Sequence, residues 1–200
     1  MVAVLFSGIW TGQEPDAARL PDELGVVSPE EYPVYDRVVI DKFLTSYTEL
    51  VVIERVTAIR LGPGWPPLSV AFMQEGGFFG GRLPPALITD FVLHNRQPAL
   101  LQPAFDFGVR VQFVRDGVPE EPNVSLAPIP ARLVQAPPVI GILRFSRVGF
   151  SPREDQALVY IEVNRRNGTG AGFLIWLDRT GREWTAMDTE VLWTARPDRR

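Results

Sequence analysis

The sequence of 200 residues contains no cysteine. This absence excludes disulfide bonds, thiol catalysis, iron–sulfur clusters and zinc sites built from thiolates. The chain has a single histidine, His94, and lacks the Gly-x-Ser-x-Gly pattern of serine hydrolases, so any catalytic triad would depend on that one imidazole. We therefore expect a protein with no enzymatic activity, no metal and no cofactor.

Long apolar runs and basic stripes are also missing. The formal net charge is −4 and charges of both signs are interspersed, which argues against nucleic-acid binding. Residues 1–10 are apolar, but a membrane-spanning helix needs roughly 20 such residues, and no basic region precedes them as in a secretory signal. This segment is a strand, the remnant of a signal peptide, or a shallow contact through which Phe6, Ile9 and Trp10 touch a membrane or a partner protein.

The spread of apolar residues predicts one α+β domain over residues 28–200, preceded by an extended N-terminal arm over residues 1–27. Ser28-Pro29-Glu30-Glu31 supplies an N-cap serine, a proline at the first helical position and a glutamate three residues after the cap, so a helix begins here. A second, short helix is expected at Pro84–His94, and strands are expected at Glu49–Arg60 and Val109–Val114. Stretches rich in proline and glycine predict long irregular connections between these elements.

Roughly the last sixty residues predict a four-strand antiparallel β-meander. Four segments of strand length, rich in β-branched and aromatic residues, are separated by short turn-forming clusters. The segments are Leu143–Phe150, Gln156–Asn164, Gly172–Asp178 and Glu183–Thr194. Alternation along the second segment places Ala157, Val159, Ile161 and Val163 on one face. The fold expected from these patterns is one or two helices packed on a curved antiparallel sheet.

Several local motifs are distinctive, namely Glu31-Tyr32, Val34-Tyr35, Asp90-Phe91 with Asn95, Phe145–Phe150, Gln156–Tyr160, Gly170–Gly172, Trp184 and Trp193. Together they resemble an uncharacterised group of small bacterial, often exported, proteins. Members of that group often carry a cysteine pair between the second and third meander strands, where this chain has Arg165-Arg166-Asn167-Gly168. The resemblance implies the meander architecture and no known activity. A helix followed by a curved sheet is also similar to the cystatin or nuclear-transport-factor-like class, by analogy of fold.

One pair of residues is a candidate for acid–base chemistry. Asp90 and His94 are four residues apart in the predicted second helix, so the two side chains would share a face and could form an acid–base pair or two ligands of a bound ion. The alternative is that Asp90 forms a hydrogen bond with nearby backbone and that the pair has no chemical role.

Aromatic residues are candidates for contacts with a partner or a ligand. Phe78 and Phe79 are flanked by glycine pairs and suit a mobile hairpin tip that exposes two rings to a partner, although both rings could instead fold into the core. Trp176, Trp184 and Trp193 are concentrated in the meander, where they would line a pocket, fill the core or form a protein interface.

Two functions are compatible with these features. The first is a non-catalytic structural or accessory protein that docks onto a larger assembly, because the chain combines a foldable core with long apolar connections. This assembly could be a membrane complex. The alternative is a small-ligand-binding domain with a pocket between sheet and helix. The resemblance and the apolar N-terminus favour an extracytoplasmic or membrane-peripheral location, with a cytoplasmic one left open.

Overall fold

The computed structural model describes residues 24–120, 139–165 and 167–196. Three α-helices are present among these residues, namely α1 (Tyr32–Lys42), α2 (Val70–Glu75) and α3 (Pro85–His94), with short 3-10 helices at Pro29–Glu31 and Phe78–Gly81. The strands are β1 (Gly25–Val26), β2 (Leu50–Glu54), β3 (Ala99–Leu100), β4 (Arg110–Arg115), β5 (Val118–Pro119), β6 (Val139–Phe145), β7 (Gly149–Phe150), β8 (Gln156–Asn164), β9 (Gly170–Thr180) and β10 (Glu183–Ala195).

Eight strands form one mixed sheet with the order β10-β9-β8-β6-β2-β4-β5, and β7 also pairs with β8. Strands β8, β9 and β10 form an antiparallel meander, which confirms the predicted C-terminal meander for these three strands, and β6 is the antiparallel neighbour of β8. The prediction of a wholly antiparallel sheet is wrong, because β2 lies parallel to both β4 and β6. Each of these parallel partners follows β2 after a long connection, as a parallel pairing requires.

The predicted strand Leu143–Phe150 is divided into β6 and β7 by the segment Ser146–Val148. The side chain of Asn95, which follows α3, makes two hydrogen bonds to the backbone of Arg147. Its Oδ1 accepts one from the Arg147 amide at 2.8 Å, and its Nδ2 donates one to the Arg147 carbonyl at 2.9 Å. These side-chain bonds satisfy the backbone of Arg147 in place of a strand partner.

The sheet is covered by helices on both faces. Along β8, Ala157, Val159, Ile161 and Val163 belong to the hydrophobic cluster under α1, while Leu158 and Tyr160 belong to the cluster under α2 and α3. Because successive side chains of a strand point to opposite faces, the two clusters lie on opposite sides of the sheet. The predicted common face of the four β8 residues is therefore confirmed, and β8 is buried on its other face as well.

Candidate functional site

Asp90 and His94, the pair predicted from their spacing, are in contact on α3 and border a cleft of about 480 Å³. The Nδ1 atom of His94 lies 3.2 Å from Asp90 Oδ2 and 3.0 Å from the carbonyl oxygen of Val148. Since both neighbours are acceptors, Nδ1 carries a proton and donates it, which leaves Nε2 as the nitrogen free for other contacts.

The remainder of this cleft adds no reactive partner to the imidazole. Ser151 lines it, but its hydroxyl donates to Asp155 at 2.6 Å and accepts two backbone amides, so it is engaged in a turn. Asp90 also accepts the amide of Phe150 at 2.7 Å and thereby ties β7 to α3. Within the described ranges, no group of three His, Cys, Asp or Glu side chains is placed to hold a metal ion. These contacts favour a structural role for Asp90.

The glycine-flanked phenylalanines are buried, so the exposed docking tip is not observed and the alternative, in which both rings fold into the core, is confirmed. Only 7% of Phe78 and 2% of Phe79 is exposed, and the ring of Phe79 lies 5.9 Å from that of Trp176. Phe79 adopts a left-handed conformation (φ 54°), and its amide donates to the carboxylate of Glu190 on β10. The flanking glycines let the chain turn inward, and burial of two aromatic rings favours that conformation over exposure.

The three meander tryptophans do not share a pocket. Trp176 is buried in the cluster under α2 and α3, whereas Trp184 is buried in the cluster under α1, on the opposite side of the sheet. Trp193 on β10 is half-buried. The structure therefore places two of the three rings in the two cores.

Trp193 is fixed by glycine and by a buried hydroxyl. Its indole Nε1 donates to the hydroxyl of Tyr160 at 2.8 Å, and that hydroxyl donates to Glu162 at 2.7 Å. Burial, together with the charge of Glu162, raises the pKa of Tyr160 well above its ordinary value. A Cβ atom on Gly172, the cross-strand neighbour of Trp193, would lie 2.1 Å from the indole nitrogen, so this packing requires glycine.

The predicted N-terminal contacts Phe6, Ile9 and Trp10 lie outside the described residues, as does most of the predicted arm. At the end of that arm, Gly25–Val26 forms β1, which pairs in parallel with β3. Among the helices of the described ranges, none is long and apolar enough to cross a membrane.

A second cleft, of about 500 Å³, lies between the end of α1 and the sheet, and we call it the α1 pocket. Its floor is apolar and comes from the residue that follows α1 and from β6, β8 and β9. The floor residues are Phe43, Ile140, Val163, Ala171 and Phe173. Its rim is polar and consists of Lys42, Thr45, Thr48 and Arg165. The sequence analysis names Arg165 as part of a turn between strands, but it does not identify any rim residue as a ligand contact.

The rim of the α1 pocket carries two cationic donors and two hydroxyl groups, and no carboxylate. Lys42 has no carboxylate partner within the described ranges, and Arg165 donates only its Nε to the carbonyl of Ile140, at 3.1 Å. The hydroxyls of Thr45 and Thr48 are 3.1 Å apart, so one donates to the other and one hydroxyl proton remains free. An apolar floor below a few polar groups is the usual composition of a small-molecule site.

The N-terminal end of α1 is anchored by a buried ion pair. The Nε and Nη2 atoms of Arg147 lie 2.8 and 2.5 Å from Glu31 Oε1, and only 1% of Glu31 is exposed. Glu31 also accepts the amides of Val148 at 2.8 Å and Ser28 at 3.3 Å, while the Tyr35 hydroxyl lies 2.9 Å from it. This network fixes α1 on the sheet, and so fixes the helix that ends at the α1 pocket.

The electrostatic effects of this network are consistent with its burial. Burial, followed by the charge of Glu31, raises the pKa of Tyr35 well above its ordinary value. Burial alone would lower the pKa of Arg147, but its hydrogen bonds to Glu31 and the charge of that carboxylate raise the pKa above the usual value. Tyr35 therefore stays protonated and Arg147 stays charged throughout the physiological range.

Comparison with protein-family models, with curated proteins and with solved structures found no match for this chain.

Proposed function

We propose that this chain is a non-catalytic small-ligand-binding domain and that the α1 pocket is its ligand site. The observation that carries the proposal is an open cleft of about 500 Å³ between the end of α1 and the sheet, with an apolar floor and a rim whose lysine and arginine have no carboxylate partner within the described residues. Its volume lies within the range of roughly 300–1,000 Å³ that is typical of small-molecule sites. A cleft between a helix and a sheet is also the site that the sequence led us to expect for a ligand-binding domain.

Binding without catalysis is the simpler interpretation of the side chains. The rim of the α1 pocket contains no carboxylate and no histidine. His94 borders the other cleft, where Asp90 is engaged with the backbone of β7. The α1 pocket therefore offers contacts for a ligand but no general base next to a nucleophile.

Docking onto a larger assembly stays a prediction from the sequence. Of the contacts considered for it, Phe78 and Phe79 are buried, and the N-terminal contacts lie outside the described residues. Two other expectations also stay predictions from the sequence: the extracytoplasmic or membrane-peripheral location, and the likeness to cystatin or nuclear-transport-factor-like folds. The sequence predicted an antiparallel sheet, whereas the central strands β2, β4 and β6 are parallel.

A pocket-filling variant tests the proposed site. Ala171 lines the α1 pocket and is half-buried, so Ala171→Phe fills the cavity from its floor. Ala71 is exposed on α2, on the opposite side of the sheet, and Ala71→Phe is the matched control. The probes are 1-octanol, sodium octanoate, octyl phosphate and octyltrimethylammonium chloride, which share one apolar chain and differ in the head group.

Ligand affinity for the native state raises apparent stability, by about 2.7 kcal/mol when the ligand is at one hundred times its Kd. At least one octyl probe is expected to raise the melting temperature of the wild type and of Ala71→Phe, by a few degrees, and to have little effect on Ala171→Phe. If none of the four probes stabilises the wild type, or if Ala171→Phe responds as the wild type does, the proposed site is wrong.

A further inference from the structure

We infer that the α1 pocket selects an amphipathic anion, a molecule with an apolar chain and a negatively charged carboxylate or phosphate head. This inference rests on the proposed function and adds the class of ligand. It follows from the charge of the rim, from the donors that remain free there, and from the contrast with the acidic cleft beside α3.

The charge of the rim is opposite to the charge of the whole chain. Lys42 and Arg165 are the charged residues that line the α1 pocket, and no carboxylate lines it. The chain as a whole carries a net charge of −4, and Lys42 is its only lysine. Asp41, the acidic neighbour of Lys42 in sequence, is held by Arg37 one turn earlier in α1, at 2.8 Å. The positive charge of the rim is therefore not cancelled by a paired acid within the described residues.

The donors of the rim suit the oxygen atoms of an anionic head. With its Nε bound to the Ile140 carbonyl, Arg165 keeps its terminal nitrogen atoms for a ligand, and these can bind a carboxylate or a phosphate in a planar, two-point contact. Lys42 contributes an ammonium group, and the pair Thr45 and Thr48 contributes the remaining hydroxyl proton. All of these groups donate, so a head rich in acceptor oxygens matches them better than an ammonium head does.

The floor accounts for the apolar part of the ligand. Phe43 and Val163 are buried members of the core under α1, and Ile140, Ala171 and Phe173 pack partly buried against it. An alkyl chain lying on this floor would extend the core and remove the exposed parts of these side chains from water.

The cleft beside α3 provides an internal contrast. It has nearly the same volume, but its lining carries Glu30, Asp90 and Glu154 and no lysine or arginine. Their charge disfavours an anion there, so electrostatics favours the α1 pocket over this cleft for such a ligand. Binding of an anion at α3 would contradict the electrostatic argument.

The test measures the affinities of the octyl probes by calorimetry for the wild type and three variants. Lys42→Gln and Arg165→Gln each remove one rim charge and keep most of the side-chain length. Arg60→Gln, at an exposed arginine outside the pocket lining, is the control for a general loss of positive charge. Because a lysine in the last turn of α1 also interacts with the helix dipole, the melting temperature of each variant is measured without ligand as well.

Octanoate or octyl phosphate is expected to bind more tightly than 1-octanol, and octyltrimethylammonium more weakly. Each rim substitution should weaken anion binding about two- to fivefold, the range for exposed charge pairs, and leave octanol binding unchanged. Arg60→Gln should leave every affinity unchanged.

The outcomes separate this inference from the proposed function. If octanol binds as tightly as both anions, or if the rim variants bind the anions as tightly as the wild type does, the ligand class is wrong while the pocket remains a ligand site. If no probe binds, the proposed function itself fails.

The single lysine gives a second measurement that needs no variant. An amine-reactive acetylating reagent modifies Lys42 and the terminal amine, and mass spectrometry distinguishes the two. Octanoate or octyl phosphate at saturating concentration should slow acetylation of Lys42 several-fold, with the terminal amine as the internal reference. Equal protection by octanol, or no protection by either anion, would overturn the assignment of Lys42 to the head-group site.

Discussion

Replacement of Arg147 by methionine tests the claim that a buried ion pair fixes α1 on the sheet. Glu31 is 1% exposed, and Arg147 contacts it through two nitrogen atoms. Arg147→Met keeps an apolar side chain of similar length but leaves the carboxylate without its cation. Removal of one partner from a buried pair costs about 3–5 kcal/mol. Because Glu31 keeps the amides of Val148 and Ser28, we place the loss near the lower end, at about 3 kcal/mol.

The reverse variant should cost less. About 16% of the Arg147 side chain is exposed, so after Glu31→Gln the guanidinium can still reach water. The loss of one charged hydrogen-bond partner then costs about 2 kcal/mol. The double variant Glu31→Gln with Arg147→Met leaves no unpaired charge. Its loss in free energy of unfolding should therefore be smaller than the sum of the two single losses, by at least about 1 kcal/mol.

Urea unfolding followed by tryptophan fluorescence measures all three variants, since Trp176 and Trp184 are buried. For a chain of this length, a loss of 3 kcal/mol corresponds to a fall of roughly 6–12 °C in melting temperature. Two results would refute the reasoning: a loss below about 1 kcal/mol for Arg147→Met, or energies of the single variants that add within about 0.5 kcal/mol in the double variant.

Three further variants test other contacts. A Cβ atom on Gly149 would lie 2.5 Å from the backbone of Phe91 in α3, so Gly149→Ala should cost about 3 kcal/mol in urea unfolding, whereas Gly25→Ala, which meets no atom within 4 Å, should cost much less. Burial raises the pKa of Asp36 to about 6; the hydrogen bond from the Asp106 amide opposes this shift, and the charge of Asp106 adds to it. The folded pKa thus exceeds the unfolded one, so the wild type loses stability relative to Asp36→Asn as the pH rises from about 4 to above 6. The loss is about 1 kcal/mol once the partial exposure of Asp36 is allowed for. If the difference in urea midpoint between the wild type and Asp36→Asn is the same at pH 4 and pH 8, this prediction is contradicted. Asp90→Ala removes the acceptor for an amide of β7 and should cost about 1 kcal/mol, while Asp90→Asn, which keeps an acceptor, should cost less; equal losses would argue that the charge and not the hydrogen bond is what stabilises.

The meander was predictable because its signals are local. The predicted segment Gln156–Asn164 coincides with β8, and Glu183–Thr194 differs from β10 by one residue. Alternation and turn clusters determine such strands without reference to distant parts of the chain. The parallel partners of β2 could not be predicted in this way, because they follow it after long connections.

Helix α2 was missed for a related reason. It has only six residues and ends at Glu75, before Gly76, so no apolar periodicity extends over two turns. The N-cap was the available signal, since the hydroxyl of Ser69 accepts the amide of Phe72 at 3.1 Å. In the next turn, the glycines around Phe78 and Phe79 indicated flexibility, whereas tertiary packing against the sheet determined that both rings are buried.

The candidate sites divide in the same manner. Asp90 and His94 share a helical turn, and their contact follows from spacing alone. The α1 pocket brings together residues of α1, the segment after it, β6, β8 and β9, so no local pattern contains it. Lys42 is the single lysine of the sequence, but nothing near it in the sequence indicates that it lies beside Arg165.

The most direct test of a ligand site in the α1 pocket is a methyl NMR titration of the wild type with sodium octanoate. The account predicts saturable shifts of the methyl groups of Ile140, Val163 and Ala171, which line the pocket, with no shift at Ala86 and Leu93, which line the acidic cleft. Shifts confined to the acidic cleft, or the absence of any saturable shift, would contradict it.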